Sequence, residues 1–125
     1  MEIKLLLDTS AIIALLKENK KLKKATETAD AIFISVISEL EFKSFTNLSG
    51  SDSNLFDSFA SMIHVLDVES SNTSLKNKII EIRNTYRLKL PDAIIAASAL
   101  INNAILVTAD NDFKKVKELE LILIK

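Results

Sequence analysis

Acidic residues stand at the borders of several apolar runs in this sequence, where carboxylates could act chemically instead of lying in the core. Asp8 ends the run EIKLLLD, and Glu39 comes just after the run AIFISVI. Asp92 follows Pro91 ahead of a long apolar stretch, and Asp110 follows the run AILVT by two residues. Carboxylates brought together repel one another, and their pKa values rise unless a cation neutralises them. Oxygen ligands without histidine or cysteine suit Mg²⁺ or Mn²⁺, so the pattern indicates a metal site.

These acids can meet only if the elements that carry them converge. Short apolar runs predict five strands, at residues 2–8, 31–37, 64–68, 104–108 and 121–125. Helical periodicity predicts helices at 9–18, from there to about 29, and at 38–48, 54–63, 72–87 and 91–102, with a short helix before the last strand. Residues 47–54, NLSGSDSN, have the composition of a loop.

The alternation of strands and helices indicates an α/β fold with a parallel sheet covered on both faces. We therefore expect a single domain over residues 1–125, a three-layer sandwich whose central parallel sheet of about five strands is flanked by helices. Ligands of such sheets bind outside the carboxyl ends of the strands, near the point where the strand order reverses. Asp8, Glu39 and Asp110 follow strand ends. Asp92 joins them if the preceding LKLP segment crosses this edge.

The composition excludes several classes of function. The chain has no cysteine, which excludes a disulfide framework, a thiolate metal site and a cysteine nucleophile. No apolar run approaches the roughly 18 residues of a membrane span, and Asp8 comes too early for a secretory signal. We therefore expect a cytoplasmic protein with no membrane partner. The net charge is −1, so any binding of nucleic acid must depend on a local surface.

Each acid also has a purely structural interpretation. Taken singly, each could serve a helix start, where a carboxylate bonds free N–H groups and meets a favourable dipole. Ser10 and Thr108 place hydroxyls beside the acids, where they could bond a carboxylate, a metal-bound water or a phosphate; helix capping is an equal alternative for Ser10. The only histidine, His64, begins a predicted strand, and we expect it to be structural. The convergence of four acids at one end of one sheet favours the metal site.

Four segments carry a resemblance to a known family: LLLDTS, the glutamate of FISVISELEF, LPDAIIAASAL and LVTADNDF, in this order. Together they resemble the PIN-domain ribonucleases, especially the VapC-type toxins of toxin–antitoxin pairs, and the similarity covers essentially the whole chain. The resemblance implies a PIN-like sandwich and RNA cleavage with Mg²⁺ or Mn²⁺ held by a quartet of acids. Residue by residue, the quartet falls on Asp8, Glu39, Asp92 and Asp110.

The fourth acid has a competitor, because Asp112 lies two residues beyond Asp110 and either replaces it or joins it. The expected metal ligands are Asp8, Asp92, Asp110 and Asp112.

The glutamate has a competitor as well. Glu41 lies two residues after Glu39, which turns its side chain by about 200° around a helix. Ser38 and Glu41 also fit a capping box, which would give Glu41 a structural role. Glu39 is therefore the preferred glutamate.

We expect a metal-dependent endoribonuclease, the toxin of a type II toxin–antitoxin pair. One or two ions acidify water and polarise the phosphate, so no catalytic histidine or nucleophilic serine is required. One alternative is a phosphoryl-transfer enzyme of the haloacid dehalogenase kind, with Asp8 as nucleophile. That family has a second aspartate two residues on, where this chain has Ser10. The other alternative is a non-catalytic protein-binding module of the same fold, although all four acid positions are filled.

Two surface features bear on partners. A lysine-rich helical face is either a phosphate-tracking patch or, as we prefer, a solvated face; it comprises Lys17, Lys20, Lys21 and Lys24. Two helices carry aromatic stripes that belong to the core, a dimer contact or a groove for a partner helix. Their members are Phe42, Phe45, Phe56, Phe59 and Met62. The resemblance implies an antitoxin on such a surface, and we expect a homodimer or a toxin–antitoxin oligomer with RNA as the substrate.

Overall fold

The computed structural model describes residues 2–124, which form a five-stranded parallel sheet in the order β3-β2-β1-β4-β5. The strands are β1 (Lys4–Leu7), β2 (Ala31–Ser35), β3 (His64–Leu66), β4 (Ile105–Thr108) and β5 (Leu121–Leu123). The helices are α1 (Thr9–Leu16), α2 (Lys20–Thr28), α3 (Val36–Lys43), α4 (Gly50–Ala60), α5 (Thr73–Tyr86) and α6 (Leu90–Ile101), with a 3₁₀ helix at Asn111–Lys115. This confirms the predicted α/β sandwich; Lys125, which we placed in the last strand, lies outside the described residues.

Helices cover both faces of the sheet, and β1 shows how the sequence achieves this. Successive side chains of a strand point to opposite faces. Leu6 therefore packs with α5 and α6, whereas Leu5 and Leu7 pack with α1, α2, α3 and α4. All three leucines are almost completely buried, which is why the run is apolar at every position.

The strand order reverses between β1 and β4. From β1 the chain proceeds outward through β2 and β3, then returns to the other side of β1 to form β4 and β5. Leu7 is in register with Ile34 on one side and with Val107 on the other. The residues that follow Leu7 and Val107 therefore leave the sheet side by side at its carboxyl edge, where doubly wound sheets bind their ligands.

The strands are shorter than we predicted, and the difference in β2 affects the candidate site. Val36 and Ile37, which we assigned to the second strand for their β-branched side chains, belong to α3. Ser35 is the N-cap, and its Oγ accepts a hydrogen bond from the Ile37 backbone N–H at 3.1 Å. Ser38 is consequently inside the helix, so the predicted capping box between Ser38 and Glu41 is wrong.

The predicted loop at 47–54 is also partly wrong, because α4 begins at Gly50. Ser49 is its N-cap and accepts a hydrogen bond from the Asp52 backbone N–H at 3.0 Å. Small polar residues favour loops and helix N-termini for the same reason, since their side chains bond nearby backbone groups. Composition alone therefore could not separate the loop from the first turn of the helix.

Candidate active site

Asp8 is the most buried of the predicted acids, with only 5% of its surface exposed. It follows β1 and is the N-cap of α1. Its Oδ1 accepts hydrogen bonds from the Ala11 backbone N–H at 2.9 Å and from Ser10 Oγ at 2.7 Å. Its Oδ2 accepts a hydrogen bond from Thr108 Oγ1. Burial raises the pKa of Asp8, against the effect of these hydrogen bonds.

The hydroxyls of Ser10 and Thr108 join Asp8 to the segment that follows β4. Ser10 Oγ accepts a hydrogen bond from the Ala109 backbone N–H at 3.0 Å, and Thr108 Oγ1 accepts one from the Asp110 backbone N–H at 2.9 Å. Each hydroxyl therefore donates to Asp8 and accepts from the segment carrying Asp110. These bonds fix the two acidic residues relative to each other across the point where the strand order reverses.

Asp92 reaches the same edge from the first turn of α6. It is half-buried, and burial is the main cause that raises its pKa. The negative charges of Asp110, Glu41 and Asp8 raise it further, while the positive charge of Lys89 opposes them. The charges of three other carboxylates thus act on Asp92.

The structure places Glu41, rather than the preferred Glu39, toward this group. Thr9 Oγ1, one residue after Asp8, donates a hydrogen bond to Glu41 Oε1 at 2.6 Å. The charge of Glu41 also acts on Asp92. Glu39 lies two residues earlier on α3 and is turned away by about 200°, and no side-chain hydrogen bond or ion pair within residues 2–124 involves it. Thr9 and Lys89 are contacts of the site that the sequence analysis missed.

Asp110 and Asp112 differ in their surroundings. Asp110 is partly buried, and its charge raises the pKa values of both Asp8 and Asp92. It is also the N-cap of the 3₁₀ helix, where its Oδ1 accepts a hydrogen bond from the Asp112 backbone N–H at 2.9 Å. Asp112 is exposed. Asp8 and Asp110 therefore have the helix-capping role that each was considered for, and both lie in the acidic group as well.

The donor atoms at this edge fit a divalent cation of the Mg²⁺ or Mn²⁺ kind. They are carboxylate oxygens, and negative charges gather there against the opposing charge of Lys89. A carboxylate has about four acceptor positions, and the three described hydrogen bonds leave Asp8 one of them for an ion. The carboxylates affect one another's pKa values, but they do not form a closed metal site. Within residues 2–124, no three His, Asp or Glu side chains lie close enough together for that.

A separate apolar cleft lies between α1, α3 and α4, and its volume is about 460 Å³. Its apolar lining comprises Ile13, Leu16, Phe42, Phe45, Leu48 and Leu55. Of the predicted aromatic stripes, Phe42 and Phe56 are buried in the core and stack on each other. Phe45 and Leu55 are 44% and 48% exposed, and Met62 is exposed as well.

His64 begins β3 and is exposed, with its ring 5.3 Å from that of Phe33. It lies on one of the two outermost strands, in register with Phe33 of β2 and, through it, with Leu6 of β1. Among the helices of residues 2–124, none is both long and apolar enough to cross a membrane.

Comparison with known proteins identifies the fold and the family. The chain superposes on a VapBC2 complex of Rickettsia felis bound to promoter DNA with a TM-score of 0.82 and 21% identity, over 98% of this chain and 100% of that one. A DNA-bound VapBC of Salmonella typhimurium gives 0.80 and 19%, over 98% and 99%. A toxin–antitoxin complex from Klebsiella pneumoniae gives 0.75 and 24%, over 96% and 97%.

At these identities the solved structures establish the shared fold, and no curated protein sequence matches the chain. The model of one family does match, that of the PIN domain, over residues 5–119. This span includes Asp8, both glutamates of α3, Asp92 and Asp110. The chain therefore belongs to the PIN-domain family.

Proposed function

We propose that this protein is an endoribonuclease that hydrolyses RNA phosphodiesters with Mg²⁺ or Mn²⁺. The carrying observation is the set of hydrogen bonds at the carboxyl edge of the sheet, in a chain of the PIN-domain family: Ser10 and Thr108 tie Asp8 to the segment of Asp110, and Thr9 binds Glu41. The proposed ligand group is Asp8, Glu41, Asp92 and Asp110. Glu41 replaces Glu39 in this proposal because it is hydrogen-bonded to Thr9 and acts on Asp92. Asp112, exposed at the rim, has an auxiliary role.

The residues of the chain supply position and negative charge. Asp8 is held by three hydrogen bonds, and the hydroxyl of Thr108 keeps the backbone of Asp110 beside it. Asp92 and Glu41 project from separate helices toward the same region. When bound, the cation supplies Lewis acidity for the phosphoryl oxygens and an acidified water as the nucleophile. Because that chemistry needs no imidazole, the position of His64 on β3, two strands away from β1, is consistent with the proposal.

RNA cleavage by the purified chain tests this proposal. We expect a single-stranded RNA to be cut with Mn²⁺ or Mg²⁺ present and to remain intact with EDTA. A folded protein that leaves RNA intact at millimolar Mn²⁺ would refute it. Cleavage that persists in EDTA would refute the metal dependence alone.

We further propose that the protein is the toxin of a type II pair, acting in the cytoplasm and inhibited by an antitoxin. The solved proteins of the same fold include toxin–antitoxin complexes. The apolar cleft between α1, α3 and α4 can receive an amphipathic helix, and its exposed Phe45 and Leu55 would be covered by it. An arginine of the same partner would suit the acidic edge, because its fork can pair with two carboxylates at once.

Expression experiments test the toxin role. Wild-type protein expressed alone should arrest growth, whereas Asp8→Asn protein at equal abundance should not. If wild-type protein cleaves RNA in vitro but its expression does not slow growth, the toxin role is refuted and the nuclease function stands. Light scattering of the purified protein tests the accompanying proposal of a homodimer, which a monomer mass would contradict.

A further inference from the structure

Both arginines of the chain line one cleft. Arg83 and Arg87 are four residues apart on α5 and at its C-terminal cap, a spacing that places side chains on one helical face. The cleft has a volume of about 490 Å³, and its other lining residues are Asn84, Leu88 and Lys89. Three positive charges therefore surround one opening in a protein whose net charge is −1.

These charges are free to bind an anion. Within residues 2–124, Arg83, Arg87 and Lys89 form no ion pair with a carboxylate, and all three are exposed. Arg83 uses one nitrogen, Nη1, to donate a hydrogen bond to the Leu88 carbonyl at 3.2 Å, which fixes its position at the cleft. The remaining N–H groups of a guanidinium form a planar fork that matches the geometry of a phosphate.

Arg87 occupies a backbone conformation that usually belongs to glycine. It ends α5 with φ of 55° and ψ of 37°, in the left-handed region. A residue with a Cβ is disfavoured there, and helices commonly end with glycine or asparagine at such a position. An arginine at this place costs stability that a glycine would not, so the requirements of the helix end do not explain it.

The cleft adjoins the acidic edge through a short stretch of chain. Lys89 lines the cleft and is also the N-cap of α6, three residues before Asp92. The Lys89 carbonyl accepts a hydrogen bond from the Ala93 backbone N–H at 2.9 Å, so the first turn of α6 holds Lys89 and Asp92 next to each other. A nucleic acid strand with one phosphate at the acidic edge would therefore carry a neighbouring phosphate toward the arginines.

We propose that Arg83, Arg87 and Lys89 form a phosphate-binding subsite for the RNA backbone beside the scissile phosphodiester. The inference rests on the proposed nuclease function and extends it, since it assigns the contacts that hold the flanking strand. Arginine and lysine contacts to phosphate are independent of base sequence. The subsite therefore gives affinity and position for single-stranded RNA, not choice of sequence.

Binding of a labelled single-stranded RNA of mixed sequence, followed by fluorescence anisotropy, tests the subsite. The measurement uses the full chain carrying Asp8→Asn, so that the RNA is not cut. Adding Arg83→Gln and Arg87→Gln should weaken binding by about tenfold or more, because hydrogen bonds to charged groups are worth about that factor or more. The slope of log K against log salt should become shallower by roughly 1.4, as expected when two phosphate contacts of a single strand are lost.

Two controls separate this effect from a general loss of charge or of structure. Lys20→Gln with Lys24→Gln removes the same charge from exposed positions of α2, which packs on the other face of the sheet, and should change binding by less than about twofold. Arg87→Gly removes one arginine and relieves the left-handed strain, so it should melt no lower than the parent protein and still bind RNA more weakly. A purely structural role of Arg87 predicts unchanged binding instead.

A small substrate gives the third readout. Bis(p-nitrophenyl) phosphate has a single phosphodiester and no flanking phosphate, so the double arginine variant in the wild-type background should hydrolyse it at the wild-type rate while cutting RNA more slowly. The subsite would be overturned if the arginine variant bound RNA as tightly as the parent protein, or if the arginine and lysine variants lost equal affinity. In either case, RNA cleavage by the wild type would still support the nuclease function. If no form binds or cuts RNA, the proposed function fails, and the subsite fails with it.

Discussion

The pKa values of carboxyl groups are shifted in opposite directions in two regions of this protein. On the outer surface, Glu118 accepts a hydrogen bond from the Tyr86 hydroxyl and lies 3.7 Å from Lys78 Nζ. These partners lower the pKa of Glu118, Tyr86 being the main cause. At the carboxyl edge of the sheet, burial and like charges raise the pKa values of Asp8 and Asp92.

The difference indicates what each group needs. The surface group is complete, since a donor and a cation within the chain favour the charged form of Glu118. The acidic edge is incomplete, because its carboxylates oppose one another and the nearby Lys89 only partly offsets them. An external cation would favour the charged carboxylates at the edge, as Tyr86 and Lys78 favour the charged form of Glu118 at the surface. The predictions below exploit this contrast.

Removing the central acid should have the largest effect. Asp8→Asn should lower RNA cleavage by about three orders of magnitude or more, because a metal ion is worth several kcal/mol of transition-state stabilisation. The fold should persist, since asparagine keeps an oxygen to accept from the Ala11 backbone. Glu118→Gln, a change of the same kind in the surface group, should leave cleavage within about twofold of wild type. Equal rates for Asp8→Asn and wild type would place the chemistry elsewhere.

The two glutamates of α3 should separate clearly. Glu41→Gln should reduce cleavage by about a hundredfold, a loss typical of one electrostatic contact at a reacting group. Glu39→Gln should have little effect, because its side chain points about 200° away around the helix. Initial rates on one RNA substrate measure both variants. The reverse ranking would restore Glu39 as the ligand.

Replacing Asp110 should reduce RNA cleavage more than replacing Asp112, and the difference should be smaller than between the two glutamates. Asp110→Asn removes a charge that acts on both Asp8 and Asp92, whereas Asp112→Asn changes an exposed side chain. Cleavage should therefore fall further for Asp110→Asn, and a titration with Mn²⁺ should show the larger increase in half-maximal concentration for that variant. If Asp112→Asn is the more damaging change, the assignment of the fourth acid is wrong.

The smallest predicted effect is on stability without metal. A carboxyl whose pKa is raised by folding stabilises the protein at low pH and loses that contribution as the pH rises through the folded pKa. Asp92→Asn should therefore raise the free energy of unfolding at pH 7, by less than about 1 kcal/mol given solvent screening. The gain should shrink as the pH falls through the folded pKa and should be lost at about pH 3, below the unfolded pKa, where the carboxyl is protonated in both states. Glu118→Gln should have the opposite sign, since the pKa of Glu118 is lowered. Urea unfolding at the two pH values measures both variants.

Much of the fold could be predicted from the sequence, because fully buried parallel strands are apolar at every position. Residues 5–7 and 105–107 are apolar at every position, and they belong to the two strands beside the reversal of strand order. Positions directly after such strands are fixed by the register of the sheet. That is why placing Asp8 and Asp110 at one edge required no knowledge of side-chain packing.

The choice of glutamate could not be derived in the same way. β-branched Val36 and Ile37 favour a strand, so the helix start was placed two residues late, at Ser38. That error gave Glu41 a capping role it does not have and directed the choice to Glu39. The contact that identifies Glu41 comes from Thr9, which is 32 residues away in the chain, and no local pattern reports it. The basic cleft did have a local signal, because Arg83, Arg87 and Lys89 lie within seven residues of chain, and the sequence analysis missed it.

The central claim, that the acidic edge binds a divalent cation, is tested most directly by thermal unfolding at pH 7 with and without Mn²⁺. A ligand present at ten times its Kd stabilises the native state by about 1.4 kcal/mol, or roughly 4 °C for a domain of this size. The account predicts a rise of this order for wild type and Glu118→Gln, and a much smaller one for Asp8→Asn. Identical wild-type midpoints with and without 5 mM Mn²⁺ (a concentration of order ten times a weak Kd), together with no heat of binding by calorimetry, would contradict it.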